Sequence, residues 1–140
     1  MAASRPKTME RSIMQVSLAA PGWALDVERG PEWLYIRLRP PQQGDAQEVD
    51  LAEILWETLE QSFTYRLVLE LDEVRLLRSW MIGQLVILHK RIHKHDGTLR
   101  LSGLSDINQE ALRSSRLDTR FPQYPNRTDA VMGERPPQPR

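Results

Sequence analysis

The chain has 140 residues, no cysteine and a formal net charge of zero, and its sequence pI is about 6.8. This length corresponds to one domain, and the missing cysteines exclude disulfides, zinc–thiolate sites and cysteine nucleophiles. The chain has no excess of basic residues of the kind that proteins use to bind nucleic acid, so we expect no nucleic-acid partner.

The first 20 residues are polar, with scattered charges and no sustained period. We expect a flexible segment over residues 1–20. Its most apolar part, residues 13–20, is too short for a signal peptide and is interrupted by Gln15 and Ser17. No apolar run approaches the roughly 20 residues of a membrane span. The sequence therefore predicts a soluble cytoplasmic protein without membrane insertion.

Two alternating segments predict an antiparallel β-hairpin. Residues 23–29 and 33–39 alternate apolar and polar side chains, and Gly30 and Pro31 separate them. Residues 40–46, with the sequence PPQQGDA, predict a loop.

The next segment predicts a helix over residues 51–61. Asp50 precedes it and Glu53 follows three residues later, which is an acidic variant of the capping box. One face of this helix is predicted to carry Leu51, Ile54, Leu55, Thr58 and Leu59.

A strand, a helix and a second strand follow in close succession. Residues 67–71 form a short apolar run that ends at Asp72, as in a strand buried on both faces. Helical periodicity begins after Ser79, and Gly97 ends it before a strand over residues 98–101. This order predicts a right-handed crossover between parallel strands. The helix is predicted to face the core with Met81, Ile82, Leu85, Val86, Leu88 and Ile92.

The remaining chain predicts one more helix and one more strand. Ser105 or Asp106 can cap the helix, whose core side is predicted to carry Ile107, Ala111 and Leu112. Residues 120–124 predict a final short strand, and the three prolines of residues 134–140 predict a disordered tail. The fold class is therefore α/β. We expect one domain over residues 21–133, with a mixed, mostly parallel sheet, an amino-terminal β-hairpin and packed helices.

Six segments in this order resemble the STAS domain, the fold of bacterial anti-sigma factor antagonists and of the cytoplasmic tails of sulfate transporters. The family pattern is an apolar strand ending in Asp, a short apolar segment, Asp-Ser-small-Gly-Leu-Gly, a helix with a Gly turn, an LxLxGL strand, and Leu-Asp-x-x-Phe-x-x-Tyr. The corresponding segments here are LVLELD (67–72), VRLL (74–77), RSWMIG (78–83), QLVILHKRIHKHDG (84–97), LRLSGLS (99–105) and LDTRFPQY (117–124).

The resemblance implies a regulatory role centred on Ser79. In anti-sigma factor antagonists this serine is phosphorylated by a partner that is both a serine kinase and the anti-sigma factor, and the unphosphorylated antagonist binds that partner. The sequence departs from the pattern because Arg78 replaces the aspartate, and Trp80 and Met81 replace small residues. A second interpretation is that Ser79 only caps its helix, which stabilises a helix by about 1 kcal/mol.

The outer side of the same helix is the predicted partner surface. Trp80, Gln84, Ile87 and Arg91 lie at helical spacing away from the core stripe, and Arg78 precedes them. Aromatic, aliphatic and arginine side chains together are typical of interface cores. The alternative is that Trp80 and Ile87 pack under neighbouring elements.

Other chemistry finds little support in the sequence. His89 and His93 have the i, i+4 spacing of a zinc pair, but Lys90, Arg91 and Lys94 oppose a dication, which favours a solvated basic helix end. No nucleophile elbow or glycine-rich phosphate loop is present. We therefore expect no metal, cofactor or enzymatic activity. Two alternatives to the anti-sigma antagonist remain: a constitutive STAS subunit of a lipid-transport ATPase complex, and a domain that senses a small ligand in an apolar pocket.

Overall fold

The computed structural model of the chain describes residues 14–17, 22–41 and 48–133. These residues form, in chain order, β1 (Met14–Ser17), β2 (Ala24–Arg29), β3 (Leu34–Arg39), α1 (Leu51–Gln61), β4 (Arg66–Glu70), α2 (Ser79–Lys94), β5 (Thr98–Ser102), α3 (Asp106–Ser114), β6 (Gln123–Tyr124) and α4 (Arg127–Met132). Within the described part of the chain, no helix is long and apolar enough to cross a membrane.

The strands form a single mixed sheet in which spatial order follows chain order, from β1 to β6. β1, β2 and β3 pair antiparallel, which confirms the predicted hairpin. β3, β4, β5 and β6 pair parallel, each connected to the next through a helix. The predicted strand–helix–strand unit is confirmed, with Leu67 opposite Leu99 in the pairing of β4 with β5.

The sheet has two differently covered faces because successive side chains of a strand alternate. Leu67 and Leu69 of β4 lie in the main core with buried residues of α1, α2 and α3. Val68 lies on the opposite face in a smaller cluster with Trp33, Tyr124 and Ala130 of α4. β4 is therefore buried on both faces, as its continuous apolar run predicts.

The prediction for α1 is confirmed in its bounds but wrong in its capping. Asp50 is the N-cap residue, yet its side chain makes no capping hydrogen bond. Its backbone, at φ −81° and ψ 68°, lies outside the extended region from which N-cap side chains reach the helix. The amide of Ala52 instead donates to Oε1 of Gln84 on α2, at 2.8 Å.

Two elements were not predicted. β1 lies inside the segment predicted to be flexible and is held by pairing with β2, from Met14 opposite Val27 to Ser17 opposite Ala24. The rest of residues 1–20, residues 42–46 of the predicted loop and the tail at 134–140 lie outside the described residues. The second missed element is α4, which is only six residues long.

The core face of α3 was predicted incorrectly at one position. Leu112 is buried and Ser105 caps the helix, as expected. Ile107, however, is 64% exposed, and the fully buried residue beside it is the polar Asn108. The hydrogen-bonded side chain of Asn108 is therefore buried at the position where hydrophobicity alone predicts Ile107.

Candidate functional site

The amino-terminal end of α2 presents Ser79 to solvent. Arg78 is the N-cap, with extended backbone (φ −81°, ψ 162°), and its carbonyl accepts a hydrogen bond from the amide of Ile82 at 3.1 Å. Ser79 is the first helical residue and is exposed. The interpretation of Ser79 as the N-cap is therefore wrong, and no side-chain capping bond is present at this end.

One exposed stripe runs along α2 from Ser79. Gly83, Ile87 and Lys90 follow Ser79 at spacings of four, four and three residues, so all four lie on one side of the helix. Ile87 is 51% exposed. A Cβ added at Gly83 would meet no atom within 4 Å. We call these four residues the α2 stripe; it combines a hydroxyl, an open backbone position, an apolar side chain and a cation.

Three of the five predicted partner-contact residues instead pack within the domain. Trp80 is partly buried and meets Trp23 edge to face, with ring centroids 6.0 Å apart. Gln84 caps α1 as described above. Arg91 donates to Glu53 of α1 at 2.7 Å and lies 4.7 Å above the ring of Trp56.

These contacts divide the predicted partner surface. Trp80, Gln84 and Arg91 lie on the side of α2 that faces α1 and the hairpin, whereas Arg78 and Ile87 remain exposed. The solvent-exposed side of α2 therefore differs from the predicted partner surface and is centred nearer to Ser79 and Gly83.

Asn108 of α3 binds the loop that precedes α2. Its Nδ2 donates to the carbonyl oxygen of Val74 at 2.7 Å, and its Oδ1 accepts from the amide of Leu77 at 2.8 Å. Val74 and Leu77 are themselves buried. Asn108 therefore fixes the backbone two to five residues before Ser79. The signal for it was its spacing of four from Leu112, which places both on one side of α3.

A second polar centre lies on the opposite face of the sheet. Arg127 of α4 donates to both carboxylate oxygens of Glu70 and to Glu28, each at 2.9 Å, and lies 4.2 Å above the ring of Tyr35. The hydrogen bonds to Glu70 are the main cause that raises the pKa of Arg127 above its usual value. Arg127 thus stays charged and ties α4 to the sheet, far from the α2 stripe.

The described fold is similar to solved structures of bacterial regulators. An anti-sigma factor antagonist from Mycobacterium paratuberculosis matches with a TM-score of 0.66 and 20% identity, over 83% of this chain and 97% of that chain. An anti-sigma-factor antagonist (STAS) domain protein from Planctomyces limnophilus matches with a TM-score of 0.55 and 20% identity, over 78% and 96%. A chain of the stressosome, a signal integration and transduction hub, matches with a TM-score of 0.62 and 13% identity, over 76% and 93%.

The chain has the STAS fold. This fold confirms the resemblance that residues 67–124 indicate. It extends the resemblance to the hairpin and α1, where the sequence contains few residues that are specific to the family. No protein-family model and no curated protein matches the sequence.

One motif of the STAS resemblance has a direct physical explanation. Gly103, in the LSGL segment, has a φ of +74°, and a Cβ there would collide with the carboxylate of Asp72. Both residues follow the carboxyl ends of neighbouring parallel strands, β5 and β4. The glycine is therefore required by left-handed backbone and by close packing against the aspartate that ends LVLELD.

The histidines lie at the other end of α2. His95 packs against Trp56 and Tyr65, with ring centroids 4.7 and 4.9 Å apart. His89 and His93 have nearly parallel rings with centroids 6.2 Å apart. In the part of the chain that the structure describes, no group of three or more histidine, aspartate or glutamate side chains is placed to hold a metal.

Proposed function

We propose that this STAS domain is a non-enzymatic anti-sigma factor antagonist that binds an anti-sigma factor with serine kinase activity through the α2 stripe. The observation that carries the proposal is the exposed Ser79 at the start of α2, in line with Gly83 and Ile87. The likeness of the fold to anti-sigma factor antagonists supports it.

Phosphorylation of Ser79 would act on this surface through local electrostatics. A phosphate adds a charge of about −1.5 to −2 at pH 7. The first turn of α2 contains no acidic residue, so its amide groups and the positive end of the helix dipole can stabilise the phosphate without a change of fold. A partner that fits a neutral hydroxyl beside Ile87 would then have to desolvate a dianion. We infer that phosphorylation weakens binding to the partner.

The partner test uses tagged variants expressed in the native host and quantitative mass spectrometry of the co-purified proteins. We expect the wild type and Ser79→Ala to recover an anti-sigma factor that carries a kinase domain. Ser79→Asp and Ile87→Asp should recover about tenfold less, since burying an unpaired charge in an interface is strongly unfavourable. Met132→Asp is the matched control because Met132 is also exposed, at 63%, but belongs to α4.

Three outcomes would contradict the proposal. Equal recovery by Ser79→Ala and Ser79→Asp would reject the switch. Equal loss with Ile87→Asp and Met132→Asp would reject the α2 stripe as the interface. Recovery of a membrane ATPase in place of an anti-sigma factor would indicate a transporter subunit. Intact-mass measurement of the same wild-type samples, with fragment mapping, shows directly whether Ser79 carries phosphate.

Gly83 provides a test that separates stability from binding. We expect Gly83→Ala to stabilise the fold by about 1 kcal/mol, because alanine is the better helix former and the added methyl group meets no atom within 4 Å. Urea denaturation measures this gain. The larger Gly83→Gln should leave the fold intact yet weaken partner recovery, since it adds a side chain in the middle of the α2 stripe.

The control for Gly83 is the same substitution at Gly97. A Cβ there would press on the carbonyl oxygen of Tyr65 and on Ile92, so Gly97→Ala should destabilise the fold. A stability loss in Gly83→Ala would show that the glycine serves the fold and is not kept open for a partner.

A further inference from the structure

The carboxyl-terminal half of α2 borders a small open cavity with an unusual lining. The cavity has a volume of about 190 Å³ and lies between α2, the start of β5 and the segment that joins α3 to β6. Its lining is His89, Ile92, His93, Gly97, Thr98, Leu99, Arg120 and Pro122, without an aspartate or glutamate. Two imidazoles and a guanidinium thus converge without a facing carboxylate.

None of these three basic side chains forms an ion pair with a carboxylate in the part of the chain that the structure describes. Arg120 is exposed and forms no ion pair with any described residue. His89 is half-buried and packs against the Phe121 ring, with ring centroids 5.3 Å apart. The pKa of His89 is lowered, first by burial and then by the charges of Arg120 and His93. The positive charge of Arg120 beside the two imidazoles, with no carboxylate in the lining, favours a negative charge in the cavity.

We propose that this cavity binds a small, doubly charged oxyanion, of the phosphate or sulfate type, through His89, His93 and Arg120. A guanidinium and imidazolium N–H groups are the donors that such anions prefer. The same Arg120 opposes the metal site that the His89–His93 spacing alone would suggest. The cavity is separate from the proposed switch, because His89 lies ten residues, or about 15 Å, along α2 from Ser79.

Binding should strengthen as the pH falls. A bound dianion favours protonated imidazole, so affinity rises as the solution approaches the histidine pKa from above. The groups around His89 are consistent with this sign. They are His93 on α2 and Arg120 before β6; the cavity-lining residues of the turn before β5 and of β5 itself, Gly97, Thr98 and Leu99, carry no titratable side chain.

The test is an NMR titration of the full chain with sulfate at constant ionic strength, with chloride as the replaced anion. Sulfate keeps its charge across the range used, so any pH dependence reports on the protein. We expect saturable shifts at the His89 and His93 rings and at the Thr98 amide, with tighter binding at pH 6 than at pH 8. Arg120→Gln should weaken binding about tenfold, equivalent to about 1.4 kcal/mol.

Arg116→Gln is the matched control, since Arg116 is an exposed arginine in the same segment that does not line the cavity. Shifts that do not saturate, or equal weakening by Arg116→Gln and Arg120→Gln, would overturn the proposal. Inorganic phosphate and glycerol phosphate then identify the source of the anion. Preference for the ester indicates a phosphoryl group on a larger molecule, equal binding indicates a free ion, and binding of sulfate alone indicates a sulfate site; all three support the site.

Discussion

Replacing Arg127 by methionine should destabilise the fold by about 3 kcal/mol, because the change leaves the Glu70 carboxylate buried without its main partner. Glu70 is only 4% exposed, and Arg127 supplies two of its hydrogen bonds. Arg37 remains near Glu70, at 3.7 Å, and limits the loss. The variant also removes one of the contacts between α4 and the sheet, while Arg100 of β5 still donates to the Ala130 carbonyl at 2.6 Å. Urea denaturation followed by circular dichroism measures the free energy of unfolding.

A double variant distinguishes the buried charge from lost packing. Adding Glu70→Gln to Arg127→Met removes the stranded charge, so the double variant should be more stable than Arg127→Met alone. Arg113→Met is the surface control. Arg113 pairs with Glu110 where both side chains are more than 60% exposed, and its loss should change stability by less than about 1 kcal/mol. Equal losses for the two arginine variants would show that the Arg127 network contributes no more than a surface pair.

Much of this fold follows from local patterns. The burial of β4, the core stripe of α2 and the glycine turn before β5 each depend on the order of residues within one short segment, and each was predicted correctly. The two missed elements lack such a pattern. β1 is a four-residue strand held by pairing with β2, and α4, with six residues, is shorter than two turns.

A signal for α4 was nevertheless present. Asn126 accepts a hydrogen bond from the amide of Asp129 at 2.9 Å, and Gly133 adopts left-handed backbone at φ 72°. Asparagine before a helix and glycine after it are the usual bounding residues. The segment between them is too short for hydrophobic periodicity to reveal a helix, so the capping residues were the only local sign.

The candidate site shows why a surface is harder to predict than a core. Helical spacing correctly separated the buried stripe of α2 from the rest, but it could not tell which outer residues another helix covers. Gln84 contacts Ala52 and Arg91 contacts Glu53, across 32 and 38 residues of chain. Such pairings depend on where α1 lies, which periodicity within α2 does not encode.

Replacing Asn108 by alanine should destabilise the domain by about 2–6 kcal/mol. The variant removes the side-chain donor and acceptor that bind the loop before α2. The Val74 carbonyl and the Leu77 amide are then buried without hydrogen bonds, and each unsatisfied group costs about 1–3 kcal/mol. Thermal unfolding should show a midpoint lower by several degrees or more. Asn126→Ala is the matched control. It removes one exposed capping bond and should lower stability by only about 1 kcal/mol.

The same variant tests whether the fold holds Ser79 in place for its partner. Asn108 does not lie on the α2 stripe, so a folded Asn108→Ala protein keeps every side chain of the proposed interface. Its loop from Val74 to Leu77 would lose the bonds that set where α2 begins. Weaker partner recovery at a temperature where the variant is still folded would then mean that α3 positions the switch through Asn108. Unchanged recovery would mean that packing of Val74 and Leu77 in the core is sufficient to position it.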